Sequence, residues 1–194
     1  LKGISLPQAV EEAVKSGVTM VQLREKNMDF EEFTALAREV KKVTDKYKVP
    51  FVINDNVAVA LACDADGVHV GQSDMCAFDV TAKIGPEKIL GVSARTTDQA
   101  MLAAKMGADY VGIGAVFSTG TKNDAEQLSL AEVKKICAAV PLPAVAIGGI
   151  TKSNITMLKG SGADGAAVVS AIFAADNIAS AAAELRVLAD EITR

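Results

Sequence analysis

The sequence has no tryptophan, two tyrosines and six phenylalanines, so aromatics make up only 4% of it. Platforms for single-stranded nucleic acid stack bases on aromatic faces, and this composition does not supply them. There is one histidine, His69, which excludes multi-histidine metal sites and argues against a Ser-His-Asp triad. The three cysteines, Cys63, Cys76 and Cys137, are an odd number without metal-ligand spacing. Cys63 and Cys137 sit among apolar neighbours, as small core residues do, which points to a reducing, cytoplasmic setting. No run approaches the ~20 apolar residues that span a bilayer, because Lys, Asp or Glu interrupts each one. Residues 1–7 carry no signal-peptide pattern. An excess of positive charge is also missing, since 20 basic against 24 acidic residues give a net charge of −4. Without a Lys/Arg run, neither nucleic acid nor an anionic membrane is an expected partner.

What is present is an average globular composition, half apolar and 23% charged over 194 residues. A single domain over 1–194 is expected. Seven short apolar runs read as strands, at 18–24, 50–54, 67–71, 89–93, 110–114, 144–148 and 166–170. Being nearly continuous, they resemble parallel strands buried on both faces. Helical runs alternate with them. In Phe30–Tyr47 the residues Phe30, Phe33, Leu36, Ala37, Val40 and Val43 fall at three- and four-residue steps, behind an Asp29 cap and a capping-type Glu32. Ser129 and Glu132 open another helix, running to about Ala139. Helix-to-strand joints repeat at 16–19, 64–67, 106–109 and 161–164. Glycine (Ala65 in one copy) suits the left-handed residue that closes each helix, before Asp or Thr turns into the strand.

The architecture is therefore parallel α/β, and a (β/α)8 barrel is favoured over an open doubly wound sheet. Eight strands are needed and seven are found, with a helix at about 7–15 and no strand before it. The first strand is thus expected to be absent from the chain as given. A chain truly beginning at Leu1 would expose two strand edges and part of its core, and is expected to be unstable or to aggregate.

A barrel of this kind carries its site at the C-terminal ends of its strands. The first run ends in Gln22, Arg24 and Lys26 on one side, a forked guanidinium and a point charge suited to a multi-phosphate ligand. The bland alternative is a surface cluster paired through Glu25. Asp55 and Asp74 follow the next two strands and together could hold one Mg²⁺, which takes one or two carboxylates, water and substrate phosphate. Taken singly, each also reads as a helix cap or loop residue. His69 reads as a barrel-interior residue, with a general-base role as the alternative. Ser93 ends the fourth run, and Thr97 with Asp98 reads as the cap of the helix that follows. The polar loop 118–124 places hydroxyls around Gly120 ahead of Lys122, which suits an anion-binding loop or a merely solvated one. Gly148, Gly149 and Ser170, after the last two strands, suit a monophosphate cup.

In order, Gln-Leu-Arg-Glu-Lys (22–26), Asn-Asp (54–55), Gly-Val-His-Val-Gly-Gln-Ser-Asp (67–74), Gly-Val-Ser-Ala (91–94), Thr-Gly-Thr-Lys (119–122), Ile-Gly-Gly-Ile (147–150) and Val-Ser (169–170) resemble the thiamine-phosphate synthase family over nearly the whole chain. The resemblance implies a (β/α)8 transferase that joins hydroxymethylpyrimidine diphosphate to thiazole phosphate and releases pyrophosphate by a dissociative route. It implies that Gln22, Arg24, Lys26, Asn54, Ser93 and Lys122 bind the pyrimidine diphosphate, and that Asp55 and Asp74 hold Mg²⁺. Thr119, Thr121, Gly149, Val169 and Ser170 would bind the thiazole phosphate, with Arg24, Lys26, Ser93 and Lys122 acting in catalysis. Small molecules would then be the partners, and copies of the chain could assemble as a homo-oligomer. Three positions depart from the family pattern: Arg95 in place of a histidine, Ala115 in place of a proline, and Met75-Cys76 in place of a proline-containing stretch. A thiazole tautomerase on the same barrel, a phosphosugar isomerase and a non-catalytic sensor of thiamine phosphate are the competing readings.

Overall fold

The computed structural model describes residues 3–72, 77–118 and 127–192, with only the backbone of 77–79. Seven strands form one parallel sheet in sequence order, β1 Val21–Leu23, β2 Phe51–Asn54, β3 Gly67–Val70, β4 Ile89–Ala94, β5 Tyr110–Gly114, β6 Ala144–Ile147 and β7 Gly165–Ala167. Around them run α1 Leu6–Lys15, α2 Phe30–Tyr47, α3 Val57–Ala62, α4 Ala77–Ile84, α5 Thr97–Lys105, α6 Leu130–Ala139, α7 Ser170–Phe173 and α8 Ile178–Ile192. Among the described residues no helix is long and apolar enough to cross a membrane. Among the described residues the sheet curls as a barrel of seven staves with β1 and β7 at its edges. Helix α1 packs on both α2 and α8, so the outer helical layer closes over that gap.

Register sorts the strand residues into two faces. The outward rows are Leu23, Ile53, Val68 and Leu90, then Val70, Val92, Val111 and Ala144, then Ala94, Ile113, Ala146 and Ala166. Almost all of these are buried beneath the helices and form the core. The inward rows read differently: Gln22, Val52, Gly67, Ile89; then Asn54, His69, Gly91, Tyr110; then Ser93, Gly112, Val145, Gly165. The strands are thus not apolar on both faces. Their inner face mixes glycine and polar side chains with Val52, Ile89 and Val145, and the glycines leave room for the His69 and Tyr110 rings.

The repeated joints act as clamps at the bottom of the sheet. Asp66 donates its backbone N–H to Phe51 O and accepts the Phe51 N–H at 2.8 Å on its carboxylate. Asp109 does the same for Leu90, at 2.8 and 2.7 Å, and Asp164 for Ala144, at 2.8 Å twice. In the second joint the left-handed residue is Asp64 (φ 52°), not Ala65. That copy is therefore shifted by one relative to the sequence expectation, and Asp fills the glycine position, as short polar side chains can. Asp109→Ala leaves the buried Leu90 N–H without its acceptor and is expected to cost about 1–3 kcal/mol in urea denaturation. Asp109→Asn keeps a carbonyl oxygen in place and should recover most of that loss.

Helix signals behave as expected. Ser5 and Gln8 form a capping box at α1, Asp29 accepts the Glu32 N–H at α2, and Ser129 with Glu132 forms a second box at α6. The cap of α5 is Thr96, one residue before the expected Thr97, because only Thr96 is extended and can reach the Gln99 N–H. The two edge strands are shorter than expected. Strand β1 pairs only from Val21 to Leu23, its single neighbour being β2. Strand β7 ends at Ala167 because β6 stops at Ile147, where Gly148 and Gly149 turn away at positive φ. Ser170 is accordingly the first residue of α7, not the last of a strand.

Candidate active site

Parallel order places all strand C-termini along one rim, and nine of the thirteen residues expected in the site lie on or just inside it. Gln22 is within β1, with Arg24 and Lys26 just beyond its end; Asn54 closes β2, followed by Asp55; Ser93 lies in β4. Gly149 follows β6, and Val169 and Ser170 follow β7. Asp74, Thr119, Thr121 and Lys122 lie outside the described residues.

Among the described residues no ion pair involves Arg24 or Lys26. Glu25 therefore does not neutralise them in the manner of a paired surface cluster. Arg24 is half-buried and Lys26 exposed, so one cation stands at the wall of the opening and one in solvent. Asn56, not Asp55, caps α3 by accepting the Val59 N–H at 3.0 Å. Asp55 itself has a left-handed backbone (φ 65°), and its N–H donates to His69 O at 2.8 Å, prolonging the β2–β3 ladder by one bond. That bond fixes where the carboxylate leaves the rim. One carboxylate at this position fits a hard cation that completes its shell with phosphate oxygens and water. Among the described residues no three His, Cys, Asp or Glu side chains converge on one point.

Inside the rim the site carries a residue that the sequence pattern did not single out. Tyr110 begins β5, and its hydroxyl lies 2.9 Å from His69 Nδ1, while His69 Nε2 lies 2.9 Å from Ser93 Oγ. Burial pushes the Tyr110 phenol up to about 12, against the neighbouring Gln22 amide, which lowers it. The phenol therefore keeps its proton throughout the neutral range. The one available signal was register: Tyr110 is the large side chain in an inward row whose next member is Gly91. Gln72 adds a hydrogen bond from Nε2 to Ser93 O.

On the opposite side of the rim, residues 115–118 run beside the turn after β6, with Val116 N–H on Ile147 O and Phe117 N–H on Gly148 O, both at 3.0 Å. Gly149 (φ 62°) packs directly on the Phe117 and Ser118 carbonyls, and Asn154 Nδ2 holds the Gly149 carbonyl at 2.9 Å. Residues 116–118 are thus tied to the turn at Gly148 and Gly149.

Fold and rim together define a class, a barrel enzyme with its chemistry at the carboxyl ends of the strands. A family model described as thiamine monophosphate synthase matches residues 2–172. The thiamine-phosphate synthase of Clostridium tetani is 48% identical over 185 residues, covering 95% of this chain and 88% of that protein. That of Ruminiclostridium cellulolyticum is 51% identical over 181 residues, covering 93% and 86%. A solved thiamine phosphate pyrophosphorylase from Pyrococcus furiosus superposes with a TM-score of 0.90 at 38% identity, over 97% of this chain and 91% of that one. The chain belongs to the thiamine monophosphate synthase family, and it is a transferase.

Proposed function

We propose that the chain condenses hydroxymethylpyrimidine diphosphate with thiazole phosphate to give thiamine phosphate and pyrophosphate. The observation that carries this reading is the placement of Arg24 and Lys26, cations with no ion pair among the described residues, on the same rim as Asp55. The methylene–oxygen bond of the pyrimidine substrate breaks first, and its electron pair leaves with pyrophosphate. Arg24, Lys26 and Lys122 stabilise the growing negative charge on that leaving group, where preorganised charge contributes most. A Mg²⁺ held by Asp55 and Asp74 would supply further neutralisation of the diphosphate. Gln22, Asn54 and Ser93 orient the pyrimidine so that its methylene faces the second substrate. Thr119 and Thr121, with the backbone at Gly149, Val169 and Ser170, hold the thiazole phosphate. The thiazole nitrogen then donates its lone pair to the methylene carbon in a step made nearly unimolecular by holding both partners. No covalent nucleophile takes part. The cysteine pattern and these soluble substrates support a cytoplasmic setting for the reaction.

The test is pyrophosphate release from the two substrates with and without Mg²⁺, for the protein and for Asp55→Asn. Mg²⁺-dependent release that the variant loses is the expected result. Saturable binding of both substrates without release would overturn the synthase reading in favour of a sensor. Isomerisation of the thiazole phosphate alone would favour a tautomerase.

A further inference from the structure

Three side chains inside the barrel form one continuous hydrogen-bonded line. The Tyr110 phenol meets His69 Nδ1 at 2.9 Å, and His69 Nε2 meets Ser93 Oγ at 2.9 Å. The line is built, not incidental. Gly91 stands between His69 and Tyr110 in the same inward row, and a Cβ there would overlap the phenol ring. Gly112, beside Ser93 in the next row, would bring a Cβ to 3.0 Å from His69 Cε1. His69 and Tyr110 are only 7% and 8% exposed, so water competes weakly for their bonds.

A line of this kind has a direction. A neutral imidazole has one N–H and one lone pair, and a phenol has one O–H to give. His69 Nδ1 is the hydrogen-bond partner of the buried phenol, and the phenol proton is satisfied by going there. The ring proton then sits on Nε2 and points at Ser93 Oγ, leaving the serine O–H for a group in the mouth. In the opposite direction Ser93 would give its proton to Nε2 and present only lone pairs to the opening, which would repel an anionic ligand. We propose that Tyr110 and His69 form a one-way donor relay that fixes His69 as the Nε2–H tautomer and makes Ser93 a hydrogen-bond donor toward substrate. Tyr110 and His69 act on the reaction here as positioning residues. The alignment of the three groups is independent of the substrate; the choice of direction also rests on the anionic substrates proposed above. Ser93 is in this arrangement no nucleophile, because His69 faces it with a proton and not a lone pair.

His69 is the sole histidine, so ¹⁵N-histidine labelling yields the signals of one ring, and two-bond ¹⁵N–¹H correlations report its tautomer without substrate. The Nε2–H form is expected in the unmodified chain. Tyr110→Phe, which keeps the ring and removes the hydroxyl, should leave a mixture of the two forms. With both substrates saturating, kcat in Tyr110→Phe should fall about tenfold, the scale of one lost hydrogen bond, with the thiazole phosphate KM unchanged. An Nδ1–H ring in the unmodified chain, or a ring indifferent to Tyr110→Phe, overturns the relay. Failure of the unmodified protein to release pyrophosphate overturns the synthase reading instead, since the tautomer is read on the substrate-free protein.

Discussion

Arg24→Ala is expected to lower kcat for pyrophosphate release by roughly 10²–10³-fold, the range seen when one preorganised charge-stabilising donor is removed. The fold should be nearly indifferent to the change. Arg24 is half-buried beyond the end of β1 and takes part in no ion pair among the described residues. Removing it breaks no clamp, and thermal stability should stay within about 0.5 kcal/mol, as for surface positions of no structural role. Arg24→Lys restores charge but not the planar fork, so it should recover only part of the rate. Lys26→Ala should act in the same direction more weakly, because an exposed ammonium is screened by solvent. Steady-state kinetics at saturating substrates, beside a melting curve, checks all three variants. A rise in KM with kcat preserved would mean that Arg24 grips the diphosphate equally in ground and transition states, and the leaving-group role would fail.

Much of this molecule could be read from sequence because the relevant physics is local. Phe30–Tyr47 was legible to the residue, since Asp29 caps one end and apolar spacing marks the inner face. Strand β5 was equally legible between its flanking joints. Edge strands were not, because the length of β1 depends on how far β2 runs beside it, and that of β7 on where Gly148 turns β6 away. The same limit hid Tyr110. Its hydroxyl reaches His69 only because strand register places Gly91 between the two rings, and register is a relation among three strands. Arg24, Lys26, Asn54 and Asp55 stood out because polar residues directly after an apolar strand fall on the rim of any parallel barrel. The reading of both strand faces as apolar missed the glycines, whose value lies in the space they leave.

The second large effect is expected at Gly149. Its φ of 62° is a left-handed conformation, which costs a non-glycine residue roughly 1–2 kcal/mol. A Cβ there would also press on the Ser118 carbonyl and come within 2.7 Å of the Phe117 carbonyl. Both obstacles are backbone atoms, so neither can swing aside as the tip of a side chain would. In Gly149→Ala the turn after β6 and the segment 115–118 must therefore separate, which shifts the Gly149 backbone proposed to hold the thiazole phosphate. A misplacement of ~1 Å in such a positioning element costs on the order of 10²-fold in rate, and kcat/KM for thiazole phosphate should fall by about that factor. Gly160→Ala separates the two causes. Gly160 shares a positive φ (76°), but a Cβ there would meet nothing within 4 Å, so it should lose only the backbone increment of stability, with turnover unchanged. If Gly149→Ala merely matches Gly160→Ala in melting temperature and in rate, the close approach at Gly149 has no functional consequence. A loss confined to Gly149→Ala, and confined to the thiazole side of the reaction, would tie the cup to this one glycine and to its close approach to Phe117 and Ser118.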